Sequence, residues 1–207
     1  MDTIVISGVI APSSDTLVKE DKTFSSDLLV DFLKTAPEKI FVEIESDGGN
    51  VNEGIAIYDL LKNSGKHVTT IGEKINSIAC VIFLAGDSRI AYKNIKAHIH
   101  SAWIDPQRLL GIQLNAEILN ELQNEAEACD QKILDLYTDV LGKGKEKELL
   151  ALMTEQTPVS AGRLLELGFA TEVIEREYQS QNKVLTFSNN FFNLITDEKM
   201  NTEKIIS

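Results

Sequence analysis

The sequence predicts an α/β protein in which βαβ units build a largely parallel sheet, and three observations carry that expectation. Short β-branched runs alternate with segments of helical periodicity over roughly the first hundred residues. Gly, Pro or Ser-Gly punctuation separates them. One helical segment, Ile78–Ala85, is apolar almost all round, as a helix buried inside such a fold must be.

Taken in order, Thr3-Ile4-Val5-Ile6-Ser7-Gly8 reads as a strand stopped by glycine. Leu28, Leu29, Phe32 and Leu33 recur at helical spacing after Ser25 and Ser26, and Pro37 ends the helix. A second strand, Ile40–Ile44, runs into a turn at Ser46-Asp47-Gly48-Gly49, and a helix through Val51, Ile55, Ile57, Leu60 and Leu61 stops at Ser64-Gly65. The unit repeats with a strand at His67–Ile71, a turn at Gly72 and the apolar helix Ile78–Ala85 ending at Gly86. Two further strands are expected around Ile90-Ala91-Tyr92 and Ala97–His100.

After His100 the character changes. From Ile112 to Leu141 the residues Leu119, Leu122, Ala126, Cys129, Ile133, Leu136 and Val140 recur at alternating steps of 3 and 4, the stripe of one long helix with acidic residues between its members. A helix too long for its own domain to cover suggests self-association. A shorter helix, Lys145–Met153, and one capped by Ser160 and closed by Gly168 complete the domain, expected over residues 1–178. Residues 179–207 are rich in Asn, Ser and Lys and read as a weakly structured tail.

Composition narrows the function. Twenty Lys+Arg against 32 Asp+Glu give a net charge of −12, which argues against a nucleic-acid partner. Cys80 and Cys129 form no metal or redox motif, no apolar run spans a bilayer, and the N-terminus lacks the basic start of a signal peptide, so the expectation is a cytoplasmic protein without membrane partner or cofactor.

Three places have residues suited to chemistry. The glycine pair in Ser46-Asp47-Gly48-Gly49 follows a strand, where backbone N–H groups can approach a bound oxygen without interference from Cβ. Ser77 stands just before the buried helix, facing its N-terminal N–H groups and fixed by a rigid core. His98 and His100 share one face of a strand; no third ligand at metal-site spacing joins them, so spacing alone leaves two readings ahead of a metal centre, a general base for Ser77 and a satisfied structural histidine.

Ser46-Asp47-Gly48-Gly49, Asn76-Ser77-Ile78-Ala79, Ile99-His100 and Ser160-Ala161 with Glu166-Leu167-Gly168-Phe169, in that order, resemble the proteolytic subunit of the Clp protease, most closely the divergent prophage-encoded, head-maturation branch of that serine peptidase family. The resemblance runs from about Ile4 to Ile174. It implies the spiral of βαβ units shared with crotonases, with a long handle helix after the active-site histidine. It makes Ser77 the nucleophile, His100 the base, and the N–H groups of Gly49 and Ile78 the oxyanion hole. It further implies a peptide or protein substrate and a homo-oligomeric ring enclosing the active sites.

Where the family has an aspartate as third triad member, this chain has Gln156, with Glu155 and Thr157 beside it. Housekeeping members carry an axial loop and helix before the first strand, whereas this sequence opens on the strand, so docking to an unfoldase ATPase is less expected. Two other readings stay open: a catalytically weak ring subunit with a structural role, and an acyl-CoA hydratase or isomerase of the crotonase fold.

Overall fold

In the computed structural model, which describes residues 2–15 and 22–176, the first strand is β1 (Asp2–Ile10). The short β2 (Thr23–Phe24) pairs in parallel with its end. Helix α1 (Ser26–Thr35) follows, its start held not by the Ser25 side chain but by the buried Glu53, whose carboxylate accepts the Ser26 N–H at 2.5 Å. An acidic group there suits the free N–H groups of a helix start.

β3 (Lys39–Gly49), α2 (Val51–Lys62), β4 (His67–Asn76), α3 (Ala79–Phe83) and β5 (Ser88–His98) then lay successive strands side by side. β1, β3, β4 and β5 are parallel neighbours in that order, which is the architecture that alternating strand and helix signals predict. Helix α4 (Ala116–Leu141) leads to α5 (Glu146–Glu155), then β6 (Pro158–Val159), antiparallel on β5, then α6 (Ala161–Leu167) and β7 (Glu172–Ile174), parallel to the earlier part of β5. The compact unit ends at Ile174. The tail expected over 179–207 lies outside the described residues. Among the described residues no helix is long and apolar enough to cross a membrane.

Three local expectations change. Ser46-Asp47-Gly48-Gly49 is not a turn but the end of β3, still paired with β1 through Val9 and Ile10. Gly72 is not a turn either: the β4 register slips there, Glu73 is passed over on the β3 side, and β4 continues to Asn76. On the other side Gly72 pairs with Ala91 and Lys74 with Lys96, so the intervening residues of β5 bulge and one strand looks like two in the sequence.

α3 is the centre of the core: all five of its residues are buried, with Ile78, Leu84 and Ala85 beside them. The approach of α2 depends on Gly54, where an added Cβ would lie 2.2 Å from Ile78 Cγ1. Thr70 donates its buried hydroxyl to Phe83 O at 2.8 Å, satisfying a carbonyl at the helix end. Arg89 binds three carbonyls, those of Gly86, Gly168 and Phe169, and so ties the end of α6 to the sheet.

α4 divides in two. Ile133, Leu134 and Tyr137 are buried, with the Tyr137 ring edge-on to Phe169, whereas no residue from Ala116 to Ala128 is buried. The 3 and 4 stripe therefore belongs to the core only in its second half.

Candidate functional site

Ser77 sits between β4 and α3 with φ +55°, a left-handed conformation uncommon for a residue other than glycine. Its N–H donates to His98 O at 2.8 Å, so the end of β5 holds the serine turn. The strained strand-to-helix position is typical of a presented side chain, since such strain persists only where the surroundings impose it. Behind Ser77 is the buried α3; Ser77 itself is half-buried.

The glycine pair packs against this turn. A Cβ on Gly48 would lie 2.6 Å from Ser77 Cβ and 3.2 Å from Ile78 N, and one on Gly49 would lie 2.1 Å from Ile10 O. With φ of +95° and +149°, both positions require glycine. Gly48 donates its N–H to Ser46 Oγ at 3.0 Å, and Ser46 in turn donates to Gly8 O at 2.6 Å. The Gly48 N–H is thus engaged within its own strand end.

Asp47 fastens the two strand ends together. Its carboxylate accepts from Lys74 Nζ at 2.7 Å and from Asn76 Nδ2 at 2.8 Å. The Lys74 hydrogen bond foremost, helped by Asn76 and set against partial burial, lowers the Asp47 pKa below its ordinary value. The strand bearing Gly48 and Gly49 is therefore clamped to the strand that presents Ser77.

His98 closes β5, and His100 lies two residues on, outside the strand. Their rings still share one side, with centroids 5.2 Å apart. His98 Nε2 is 2.6 Å from Gln156 O, and His100 Nδ1 is 2.6 Å from Ser101 O. A carbonyl oxygen can only accept, so each of these nitrogens carries the proton when its ring is neutral. His98 then has its lone pair on Nδ1, while His100 has it on Nε2.

Gln156 ends α5 in the left-handed conformation, φ +53°, and is exposed, as are Glu155 and Thr157. It reaches the histidine pair through its main-chain oxygen, and there it meets His98. Among the described residues the Gln156 side chain forms no hydrogen bond to His100, and neither does Ser77 Oγ. A nucleophile–base hydrogen bond often tightens only around substrate.

Three groups at the site escaped the sequence reading. Ser101 orients His100 through a main-chain carbonyl, for which side-chain identity leaves no signal. Asp130 on α4 accepts the Ala102 N–H at 2.6 Å, and Ser101 N–H donates to Met153 O at 3.0 Å, so α4 and α5 both hold the segment after His100. The Trp103 ring lies against that of His100, centroids 4.5 Å apart and planes inclined by 33°. It is the only tryptophan in the chain, a visible feature that spacing alone did not link to His100.

Comparison with known proteins gives one consistent answer. The family model described as Clp protease matches residues 13–177, about four-fifths of the chain. The curated ATP-dependent Clp protease proteolytic subunit 1 of Borreliella burgdorferi is 26% identical over 180 residues, covering 84% of each chain. The structure of an asparagine-to-aspartate mutant of ClpP1 from Listeria monocytogenes superposes with a TM-score of 0.64 at 21% identity, over 84% of this chain and 92% of that one, a likeness of fold. These matches do not favour the hydratase or isomerase reading. The βαβ architecture, the serine at a strained strand-to-helix turn and the family match converge: the chain belongs to the Clp protease family of serine proteases.

Proposed function

We propose that this chain is an active serine endopeptidase in which Ser77 and His100 work as a pair and the carbonyl of Ser101 does the orienting that a triad carboxylate does elsewhere. The observation that carries the reading is the 2.6 Å approach of His100 Nδ1 to Ser101 O, which leaves Nε2 as the basic nitrogen. A general base needs that tautomer. Ser77 Oγ attacks the scissile carbonyl carbon while its proton passes to Nε2. The tetrahedral oxyanion is held by the N–H groups of Gly49 and Ile78; losing one such donor costs about 3 kcal/mol of barrier. Collapse expels the amine with the proton from Nε2, and a water molecule then hydrolyses the ester by the same steps in reverse.

Gln156, at the family's third triad position, acts in this reading through its main chain, by anchoring His98. The substrate is a peptide or protein chain, and the enzyme is a cytoplasmic homo-oligomeric ring that confines hydrolysis to an enclosed chamber. The uncovered first half of α4 supports assembly. A prophage role in capsid maturation is the finer form of the proposal and rests on sequence resemblance; cleavage of capsid precursors by the purified ring tests it. Docking to an unfoldase ATPase is not part of it.

The test is reaction with a fluorophosphonate followed by mass spectrometry of the labelled peptide. Modification at Ser77, absent in Ser77→Ala, is the expected result. A second reading, a structural ring subunit with weak chemistry, is favoured by the missing carboxylate at position 156, and an unlabelled Ser77 in an intact ring would establish it.

A further inference from the structure

We propose that Trp103 is a positioning residue for the base, whose indole face supplies part of the imidazolium stabilisation that a third-member carboxylate would otherwise provide. The inference rests on the Ser77–His100 reading above and adds to it a group outside the nucleophile, base and oxyanion hole.

Three observations carry it. The first is geometry: the rings of Trp103 and His100 lie 4.5 Å apart, centroid to centroid, with planes inclined by 33°. That is a close, tilted ring contact, well inside the roughly 6 Å over which a cation is attracted to an aromatic ring. Indole is the strongest partner among the aromatic side chains.

The second is anchoring. Trp103 is 68% exposed, and an indole left in water is held in place only if its backbone is held. Here it is: Ser101 N–H is fixed on Met153 O and Ala102 N–H on Asp130 Oδ1, so two helices fix the residues immediately before the tryptophan. The anchored backbone brings Trp103 within reach of the imidazole, and the ring contact sets the side chain there.

The third is a deficit in the charge arrangement. When the Ser77 Oγ–carbon bond forms and the proton moves to Nε2, His100 becomes a cation. Its Nδ1–H remains on Ser101 O, a neutral dipole that orients the ring and carries no charge. The Gln156 carbonyl is engaged by His98. Two titratable groups have described contacts with this segment: His98, 5.2 Å away ring to ring, and Asp130, whose Oδ1 already holds the Ala102 N–H. The indole is an aromatic group in close contact with the ring that takes up the charge.

The experiment compares Trp103→Phe, which keeps a smaller π face, with Trp103→Leu, which keeps only apolar bulk. Fluorophosphonate labelling of Ser77 should slow roughly two- to fivefold in Trp103→Leu and recover most of that in Trp103→Phe. By NMR, the ring titration of His100 should move to lower pH in Trp103→Leu, because loss of the π face disfavours the cation. Emission from the sole tryptophan should fall as His100 takes up its proton; the drop should vanish in His100→Asn and persist in His98→Asn. An unmoved His100 titration in Trp103→Leu, or equal slowing in both Trp103 variants, overturns the proposal. Failure of the unaltered protein to label at Ser77 overturns the acyl-enzyme reading instead, and the NMR and emission arms still decide whether Trp103 stabilises the cation.

Discussion

His98 joins the serine turn to the end of α5: its main-chain oxygen accepts the Ser77 N–H at 2.8 Å, and its Nε2 donates to Gln156 O at 2.6 Å. This distinguishes the two histidines by tautomer. His98→Ala removes the ring anchor but keeps the main-chain bond to Ser77, so labelling of Ser77 should fall less than about tenfold. His100→Ala should lower it by roughly a hundredfold or more, the usual contribution of a general base. The reverse ranking in a labelling time course would transfer the base to His98.

Gln156→Ala and Gln156→Asp should each leave the labelling rate within about threefold, because the Gln156 contact with the histidine pair is made by the main chain. A gain of roughly tenfold or more in Gln156→Asp would place that side chain on the base, since a triad carboxylate is worth far more than that. Glu155→Gln serves as the adjacent control, and a large loss there would move the third member to Glu155.

The two halves of α4 should respond differently to charge. Ile133 is buried against its own domain, so Ile133→Asp should cost at least about 3 kcal/mol and unfold the protein at lower denaturant. Leu119 is 53% exposed and Leu122 half-buried. Leu119→Asp with Leu122→Asp should leave the unfolding midpoint in place and shift sedimentation toward smaller species. An unchanged large assembly would remove the first half of α4 from the interface.

Gly54→Ala should destabilise the fold by about 1–3 kcal/mol through overpacking against Ile78. It should also slow Ser77 labelling, because Ile78 carries a proposed oxyanion N–H. Thermal unfolding and labelling rate measured together check both; a silent substitution would mean that α2 can retreat without moving the site.

Burial pushes the Cys80 thiol up to about 12 from an ordinary value of 9.0, and burial likewise raises the Tyr137 phenol beside it. Both groups are held neutral by the fold and ionise more readily in the unfolded chain. Their contribution to stability is complete below pH 9.0 and declines as pH rises toward about 12. Urea unfolding should show a steeper alkaline loss than in Cys80→Ala. In the native protein at pH 8 a small alkylating agent should modify Cys129 before Cys80, and equal rates would show that the core around α3 opens.

The parallel order of β1, β3, β4 and β5 was legible because each strand is a β-branched run and each connection carries a helical period. The serine turn was legible because Ser77 directly precedes an apolar segment. The hidden parts were set by backbone geometry. Glycines at positions 48, 49 and 72 suggest turns, yet here they allow close strand approach and a bulge. The role of Ser101 is a carbonyl position, which its side chain does not encode. Asp130 lies within a run of acidic residues on α4, indistinguishable by type from its solvated neighbours.

The burial of α3 separates the fixed from the adjustable half of the proposed reaction centre. Ser77 leads directly into a helix with every side chain enclosed, so displacing the proposed nucleophile means disrupting the hydrophobic interior. His100 instead leads into the connection to α4, which is held at its start by hydrogen bonds from Ser101 and Ala102. Substitutions that tune turnover without unfolding the chain should therefore accumulate on the histidine side, in residues 101–115 and in the faces of α4 and α5 that hold them, while the serine side tolerates almost none.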